Sequence, residues 1–563
     1  MFKGHPKGLY VLALSNMGER FGYYTMLAIF TLFIEAKLGI PETEIGQVWG
    51  IFLAAVYGLP IIGGLLADRL GYGKVVVTGM IVMFLGYVLL SYPSAGTPLL
   101  FSSLFIIALG TGFFKGNMVV LLGNLYEDAK YKKQQDTAFN IYYMGINVGA
   151  FFAPFAATGI RNLFLSFDKF YYDANIPRFA HNFINDQHSL SADALAKFKQ
   201  IAVQMTGNAN IDLVAFSKEY LTSLSAAYNM GFAIAAVAIV ISFVIFLVFK
   251  KHYAHVDHIH KKSAQAGTTV ELTPKQTKDR IVALVLVFIT VIFFWMAFHQ
   301  NGLVLTLFAK NYTAGYVSKL TYTLFDLPAL LSLIAVIMGL VFLILKSTTS
   351  IRRIIGMVLI VVGAVVLYMR LTTFGDTNRI SPETFQAFNP IFVVFLTPVV
   401  IAFFTSFINK GKEISSPRKI GYGMFIAAAA YILMVVVAII GKDGSALDSP
   451  LLIKSSTGGS VSSLLVSPYW LISTYFSLTI AELFLSPMGL SFVAKVAPPK
   501  LKGLMQGGWL GATALGNYLS GVIAVPYANL ELWQTFALLV LTSVISGVFI
   551  FSVLKRLEAS TTS

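Results

Sequence analysis

Four formally charged side chains stand inside long apolar stretches of this chain: Glu19, Arg20, Lys115 and Glu482. An ionisable group at bilayer depth costs at least about 2.5–3.5 kcal/mol on insertion scales, so such groups face a protein interior and are candidates for function. Their charges sum to zero, which a low-dielectric interior tolerates. Both cations fall in the first part of the chain and Glu482 near its other end. Two packed halves would therefore meet with a positive side and a negative side, complementing a solute with one anionic and one cationic end. Asn16, Glu19 and Tyr23 follow i, i+3, i+7 spacing and Arg20 and Tyr24 follow i, i+4, which places a polar and aromatic stripe on one helix. Arg20 offers a planar fork to a carboxylate, with phenol groups around it. The competing reading is structural: Glu19 and Arg20 pair with Lys115 to hold helices together.

The elements that position these residues must be membrane helices. Of 563 residues 56% are hydrophobic and 12% charged, against roughly 25% charged in an average soluble domain. With a mean hydropathy of +0.75, a water-facing surface is out of reach, and a soluble globular fold is excluded. Runs long enough to cross about 30 Å of hydrocarbon predict fourteen spans, near 9–36, 46–67, 75–92, 98–123, 138–160, 226–249, 281–309, 328–345, 354–371, 386–409, 420–441, 468–494, 504–527 and 533–554. The first is too long for a cleaved signal and carries Glu19 and Arg20, so it is expected to stay as a helix. With no cysteine, disulfides, zinc–thiolate sites and thiol catalysis are excluded. No HExxH, GxSxG or P-loop motif is present, and the chain is not expected to be an enzyme.

Alternating the spans from a cytoplasmic N-terminus puts about two-thirds of the 41 Lys and Arg on the cytoplasmic side, in clusters such as Lys250-Lys251, Lys261-Lys262, Arg352-Arg353 and Arg418-Lys419. Both termini are then inside a cell inner membrane, with 555–563 as a cytoplasmic tail. The net charge of +15 records orientation rather than nucleic-acid binding. Residues 1–160 and 226–250 are expected to form one six-helix bundle, and 281–310 with 386–554 the other. The polar segment 161–225 reads as an external cap with helical stretches around 192–205 and 213–227, and 251–280 as a cytoplasmic linker. His252, His255, His258 and His260 in that linker could hold a metal, but a basic loop favours a solvated linker, and no metal or organic cofactor is expected.

Asn117, Tyr142, Tyr143, Asn147, Trp295, His299, Gln300, Asn389 and Trp509 lie at plausible depth, where packing and interfacial anchoring compete with a ligand role. Pro390 after Asn389, and Ser486-Pro487 after Glu482, predict a broken or bent helix at each place.

An ordered series of motifs resembles the proton-dependent oligopeptide transporter family of the major facilitator superfamily. Asn16-Met-Gly-Glu-Arg-Phe-Gly-Tyr-Tyr24 resembles the family's first-helix motif E-x-x-E-R-F-x-Y-Y. Gly63-Gly-Leu-Leu-Ala-Asp-Arg-Leu-Gly71 resembles the superfamily loop motif between helices two and three. Gly110-Thr-Gly-Phe-Phe-Lys-Gly-Asn117 is similar to the fourth-helix motif and Phe139-Asn-Ile-Tyr-Tyr-Met-Gly-Ile-Asn-Val-Gly149 to the fifth. Phe294-Trp-Met-Ala-Phe-His-Gln300 resembles the seventh-helix motif, Asn389-Pro390 the eighth and Ala481-Glu-Leu-Phe-Leu-Ser-Pro-Met-Gly-Leu-Ser491 the tenth, with Trp509 at the eleventh-helix tryptophan.

The resemblance implies an all-α integral membrane protein with the major facilitator fold. It would have twelve core transmembrane helices and, because 250–280 has no room for the usual insertion, two extra helices in 328–371 between core helices seven and eight. It implies import of di- and tripeptides by alternating access, driven by protons, through a single functional chain. Arg20 and Lys115 would face the peptide carboxylate, and Glu482, Asn389 and Asn147 its amino end. Tyr23, Tyr24, Tyr57, Trp295 and Trp509 would line side-chain pockets, and Asp68 and Arg69 belong to the cytoplasmic gate motif.

Departures from the family pattern fall on the coupling residues. The motif's first glutamate is Asn16, the arginine three residues beyond the motif is Leu27, and the seventh-helix glutamate is His299. Losing arginine and glutamate together avoids a stranded charge. Glu19, Glu482 and His299 remain as proton-coupling candidates, since imidazole titrates near physiological pH. For His299 a neutral hydrogen-bonding role stays open, and transport of another small zwitterion or anion, such as an amino acid derivative or nitrate, is the alternative function.

Overall fold

A computed structural model of the protein describes residues 4–93, 96–128, 130–257, 273–345, 349–412, 414–443, 466–498 and 501–562. The first half comprises α1 (Lys7–Leu38), α2 (Glu42–Gly58), α3 (Pro60–Leu70), α4 (Tyr72–Leu90), α5 (Thr97–Asn124), α6 (Gln135–Phe167), α7 (Ile176–Asn185), α8 (Ala192–Thr206) and α9 (Leu213–Val248). The second half begins with α10 (Pro274–Phe298), α11 (Val304–Tyr312), strand β1 (Tyr316–Val317) and α12 (Lys319–Tyr322). An inserted hairpin of α13 (Leu327–Ile344) and α14 (Ser350–Thr373) follows, then strand β2 (Asn378–Arg379) and a 3-10 turn at Pro382–Ala387. The chain closes with α15 (Phe388–Asn409), α16 (Ser416–Asp443), α17 (Pro468–Val496), α18 (Lys502–Val522), α19 (Ala524–Asn529), α20 (Leu532–Ser552) and α21 (Leu554–Thr562).

Twelve helical segments among the described residues are long and apolar enough to cross a membrane, with α2–α3 and α10–α11 each acting as one span. Helices α17 and α18 coincide with the other two expected spans. In the first half α1 packs between α6 and α9, and α4 and α5 run alongside. In the second, α16 packs on α17 and α20, and α10 on α18. The halves meet where α2 lies on α18 and α6 on α15. Chain direction puts both termini at one end of the bundle and α7 and α8 at the other, the cap end.

Helix ends follow local signals that hydropathy alone misses. α10 starts at Pro274, inside the stretch expected to be linker, because Thr273 and Gln276 form a capping box. α9 starts at Leu213, where the Asp212 carboxylate accepts from the Val214 and Ala215 amides, and runs unbroken from cap into membrane. The cap has its own aromatic core: Phe179 and Phe183 of α7 meet Phe198 of α8 at 5.8 and 6.0 Å, and Phe198 meets Phe216 of α9 at 5.9 Å. His258 and His260 lie outside the described residues.

Neither place expected to carry a broken or bent helix is broken. Pro390 stands in the first turn of α15, where a missing N–H costs no helical hydrogen bond, and α17 continues through position 487 without interruption. The break falls in the seventh core span, where α10 gives way at His299–Gly302 to a 3-10 turn before α11. Carbonyls freed there find hydroxyl donors on other helices: Tyr431 to Ala297 at 2.5 Å, Tyr475 to Asn301 at 2.7 Å and Thr31 to Gly302 at 2.7 Å. Irregular backbone at membrane depth persists only when satisfied in this way.

Close approach of the halves depends on glycine. A Cβ at Gly521 of α18 would sit 2.1 Å from the Gly46 carbonyl oxygen of α2, and one at Gly50 would sit 2.6 Å from the Tyr518 carbonyl oxygen. The hairpin uses the same device, with Gly339 against Gly356, and most of its surface is left for lipid.

Candidate substrate-binding site

α1 is the most enclosed of the twelve apolar segments, and it carries its polar stripe inward: Asn16, Glu19, Arg20 and Tyr23 are all buried. Arg20 grips Glu19 with two donors, Nε to Oε2 and Nη2 to Oε1 at 2.7 Å, and its guanidinium lies 5.0 Å from the Tyr23 ring centre. Tyr23 and Tyr24 meet edge to face at 5.3 Å. Lys115 of α5 has no carboxylate within ion-pair distance among the described residues. Its ammonium instead sits 3.4 Å from the centre of the Tyr57 ring. Glu19 and Arg20 thus pair with each other, and the reading in which both pair with Lys115 fails.

On the other half Glu482 of α17 accepts from the Asn389 amide at 3.0 Å, and the same amide nitrogen reaches the Thr479 hydroxyl at 3.0 Å. No cation pairs with Glu482 among the described residues. The site therefore holds one ammonium and one carboxylate without ionic partners, one on each half. Tyr24 and Tyr57 each feel both Arg20 and Glu482 electrostatically, so the two sides share one region. Lys115, Asn389, Asn147 and Glu482 keep part of their surface open, whereas Glu19 is fully buried and Arg20 nearly so.

His299 begins the break after α10. Its ring stacks on Trp295 at 5.3 Å and meets Tyr57 at 5.8 Å, within electrostatic range of Lys115. Its Nε2, the Trp295 Nε1 and the Asn16 Nδ2 are buried with no hydrogen-bond partner among the described residues. Trp509 lies across Gly489 of α17, with Phe288 at 6.4 Å. Asn147 bonds back to the Tyr143 carbonyl of its own helix at 3.0 Å and is not brought onto Glu482. Asp68 accepts from the Tyr72 hydroxyl at 2.6 Å and Arg69 is exposed, both at the termini end and away from the site.

Four further buried charges escape a reading by span. Lys310 pairs with Glu35, and Arg161 with Glu383, each pair joining one half to the other at the cap end. Arg161 also donates to Ser381 at 2.9 Å, Thr158 donates to Glu383 at 2.8 Å, and Gln386 donates to the Ala28 carbonyl at 3.1 Å. Each of these four charges lies near a span boundary, where a flanking charge is ordinary. Opposite signs recurring at the same end was the available signal. Among the described residues the polar contacts between halves gather at the cap end, so that end is shut.

The sequence profile of the POT family matches residues 73–270 and 367–535. A dipeptide and tripeptide permease A from Escherichia coli K12 is 24% identical over 541 residues, covering 92% of this chain and 85% of that protein. A di-/tripeptide transporter from Lactococcus lactis subsp. cremoris is 23% identical over 587 residues, covering 98% and 96%. Among solved structures, a peptide transporter POT in complex with sulfate aligns over 100% of this chain and 97% of its own, at 21% identity and TM-score 0.66. That likeness shows the expected all-helical transporter fold, and the profile match settles the kinship: the chain belongs to the POT family, whose members are transporters and not enzymes.

Proposed function

We propose that this protein imports di- and tripeptides across a bacterial inner membrane by proton-coupled alternating access. The observation that carries the reading is the pair of unmatched charges, Lys115 on one half and Glu482 on the other. A zwitterion bridging the halves would complete both, with Lys115 and Arg20 toward its carboxylate and Glu482 and Asn389 toward its ammonium. Asn147 reaches the backbone once released from Tyr143, and Tyr23, Tyr24, Tyr57, Trp295 and Trp509 line the pockets. The curated relatives named di- and tripeptide permeases support this cargo.

Lysine and arginine counts support a cytoplasmic termini end and an outer cap end, and on that orientation the shut cap end corresponds to the inward-facing state. Asp68 and Arg69 would join a cytoplasmic gate when that end closes. Protons serve as the coupling ion in this reading, with no cofactor expected. Glu482, Glu19 and His299 are the groups placed to exchange them, and one chain supplies both walls of the site. Transport of another small zwitterion or anion is the rival reading.

Uptake of a labelled dipeptide into proteoliposomes with an inward proton gradient tests both parts. Uptake should fall to background when the gradient is collapsed. Glu482→Gln should weaken the apparent affinity by about ten- to a hundredfold, as expected for one charge-assisted contact. Full uptake by the variant would favour the rival, and uptake indifferent to the gradient would remove the proton.

A further inference from the structure

The inserted hairpin does more than sit in lipid. Its base is a short antiparallel ladder, Tyr316 opposite Arg379 and Val317 opposite Asn378, at the cap end. Asp326, which caps α13, takes two bonds from Arg370 of α14 at 3.0 and 2.6 Å, so hairpin and base form one braced piece. That piece belongs to the second half, yet it grips the first half at two levels.

At the surface, Arg379 donates to the Tyr172 carbonyl and the Tyr316 hydroxyl. Its guanidinium lies 4.2 Å from the Tyr171 ring centre and 3.9 Å from the Asp173 carboxylate. The 171–173 segment is in turn fixed to α9, because the Tyr220 hydroxyl donates to the Tyr171 carbonyl at 3.1 Å and accepts from the Asp173 amide at 3.0 Å. Below, within the membrane, Leu330 of α13 packs with Phe151 of α6 and Ala387. Tyr172 links the two levels: its carbonyl holds Arg379, while its ring covers the buried Arg161 guanidinium at 3.7 Å.

We propose that the hairpin and its ladder form a strap that holds the cap end shut, with Arg379 as its clasp in the Tyr171–Asp173 loop of the opposite half. Opening the cap end must part α6 from α15, and both grips cross that seam, so both must let go. Arg379 keeps about a quarter of its side-chain surface in water, whereas Arg161 keeps none. The clasp is therefore the tier that water loosens first, ahead of the buried pair beneath it.

The natural absence of cysteine makes the test direct. Thr306→Cys places a single thiol in the shut seam, where Thr306 is buried under Gln386, and Ala28→Cys serves if that variant does not express. An impermeant maleimide is applied to intact cells and to inside-out vesicles, and the preparation that labels also reports which end faces out. Arg379→Ala should raise the labelling rate about fivefold, the effect of losing a partly exposed ion pair and a ring contact together. Arg418→Ala, which breaks a comparable surface pair with Glu558, should leave it unchanged. Equal labelling with and without Arg379 would overturn the strap. The inference rests on alternating access, but this readout needs no substrate, so a wrong cargo and a wrong strap give different results.

Discussion

At the scale of single residues the site is governed by which charges have partners. Glu19 and Arg20 are neighbours in sequence and satisfy each other inside a buried helix. Such a pair adds little net stability, yet removing one member strands the other at a cost of about 3–5 kcal/mol. Arg20→Gln should therefore lower the thermal unfolding midpoint in detergent by several degrees, and Glu19→Gln/Arg20→Gln should recover most of the loss while still failing to bind peptide. A double variant no more stable than Arg20→Gln would mean that Arg20 is held by something other than Glu19. Lys115 follows the opposite logic. Among the described residues it has no carboxylate in ion-pair distance, and the face of Tyr57 is worth roughly 0.5–2 kcal/mol, too little to match the cost of burying an ammonium. Its position is stable to the extent that it stays open to solvent or anion, which the small part of its surface left uncovered allows.

Among the elements, spans were legible because lipid demands long apolar runs, and the stripe on α1 because helical periodicity aligns Asn16, Glu19 and Tyr23. The break at His299–Gly302 was not legible. No proline marks it, and its carbonyls are satisfied by Thr31, Tyr431 and Tyr475, which come from three helices far apart in sequence. Proline pointed elsewhere, to Asn389-Pro390, where helix α15 has only just begun. The Glu482–Asn389 contact was reachable through family resemblance, but Thr479, which shares the Asn389 amide, carries no sequence signal beyond lying one turn before Glu482. The meeting of α2 and α18 is likewise a matter of small residues in register. Gly521→Val would drive a side chain into the Gly46 carbonyl and the Gly50 backbone. Each helix keeps its packing within its own half, so the variant should fold but fail to close its cap end. Dipeptide uptake should be lost and labelling of Thr306→Cys should rise, whereas Gly511→Ala, with open space around its Cβ position, should behave as wild type. Normal uptake by Gly521→Val would show that the cap end works without this close approach.

For the whole molecule, alternating access requires two states of similar free energy, and the shut cap end shows what one of them is built from. Glu35–Lys310 and Arg161–Glu383 cross the seam as buried pairs. Buried in the shut state, each ion has lost most or all of its water and depends on its partner. With the seam open both ions hydrate again, so each pair changes the balance by much less than its Coulomb energy. This lets the halves be firmly specified in register without being trapped. Charge identity at each position then matters less than complementarity. Glu35→Lys sets two cations against each other in the shut seam and should abolish dipeptide uptake while raising cap-end labelling of Thr306→Cys. Lys310→Glu should do the same with two anions. The exchange Glu35→Lys/Lys310→Glu restores attraction along the same line and should return a substantial fraction of uptake and slow the labelling again. If the exchange is no better than either single variant, the pair acts through its surroundings rather than as a cross-seam contact. In that case closure of the cap end would rest on the glycine contact, the Arg161–Glu383 pair and the strap.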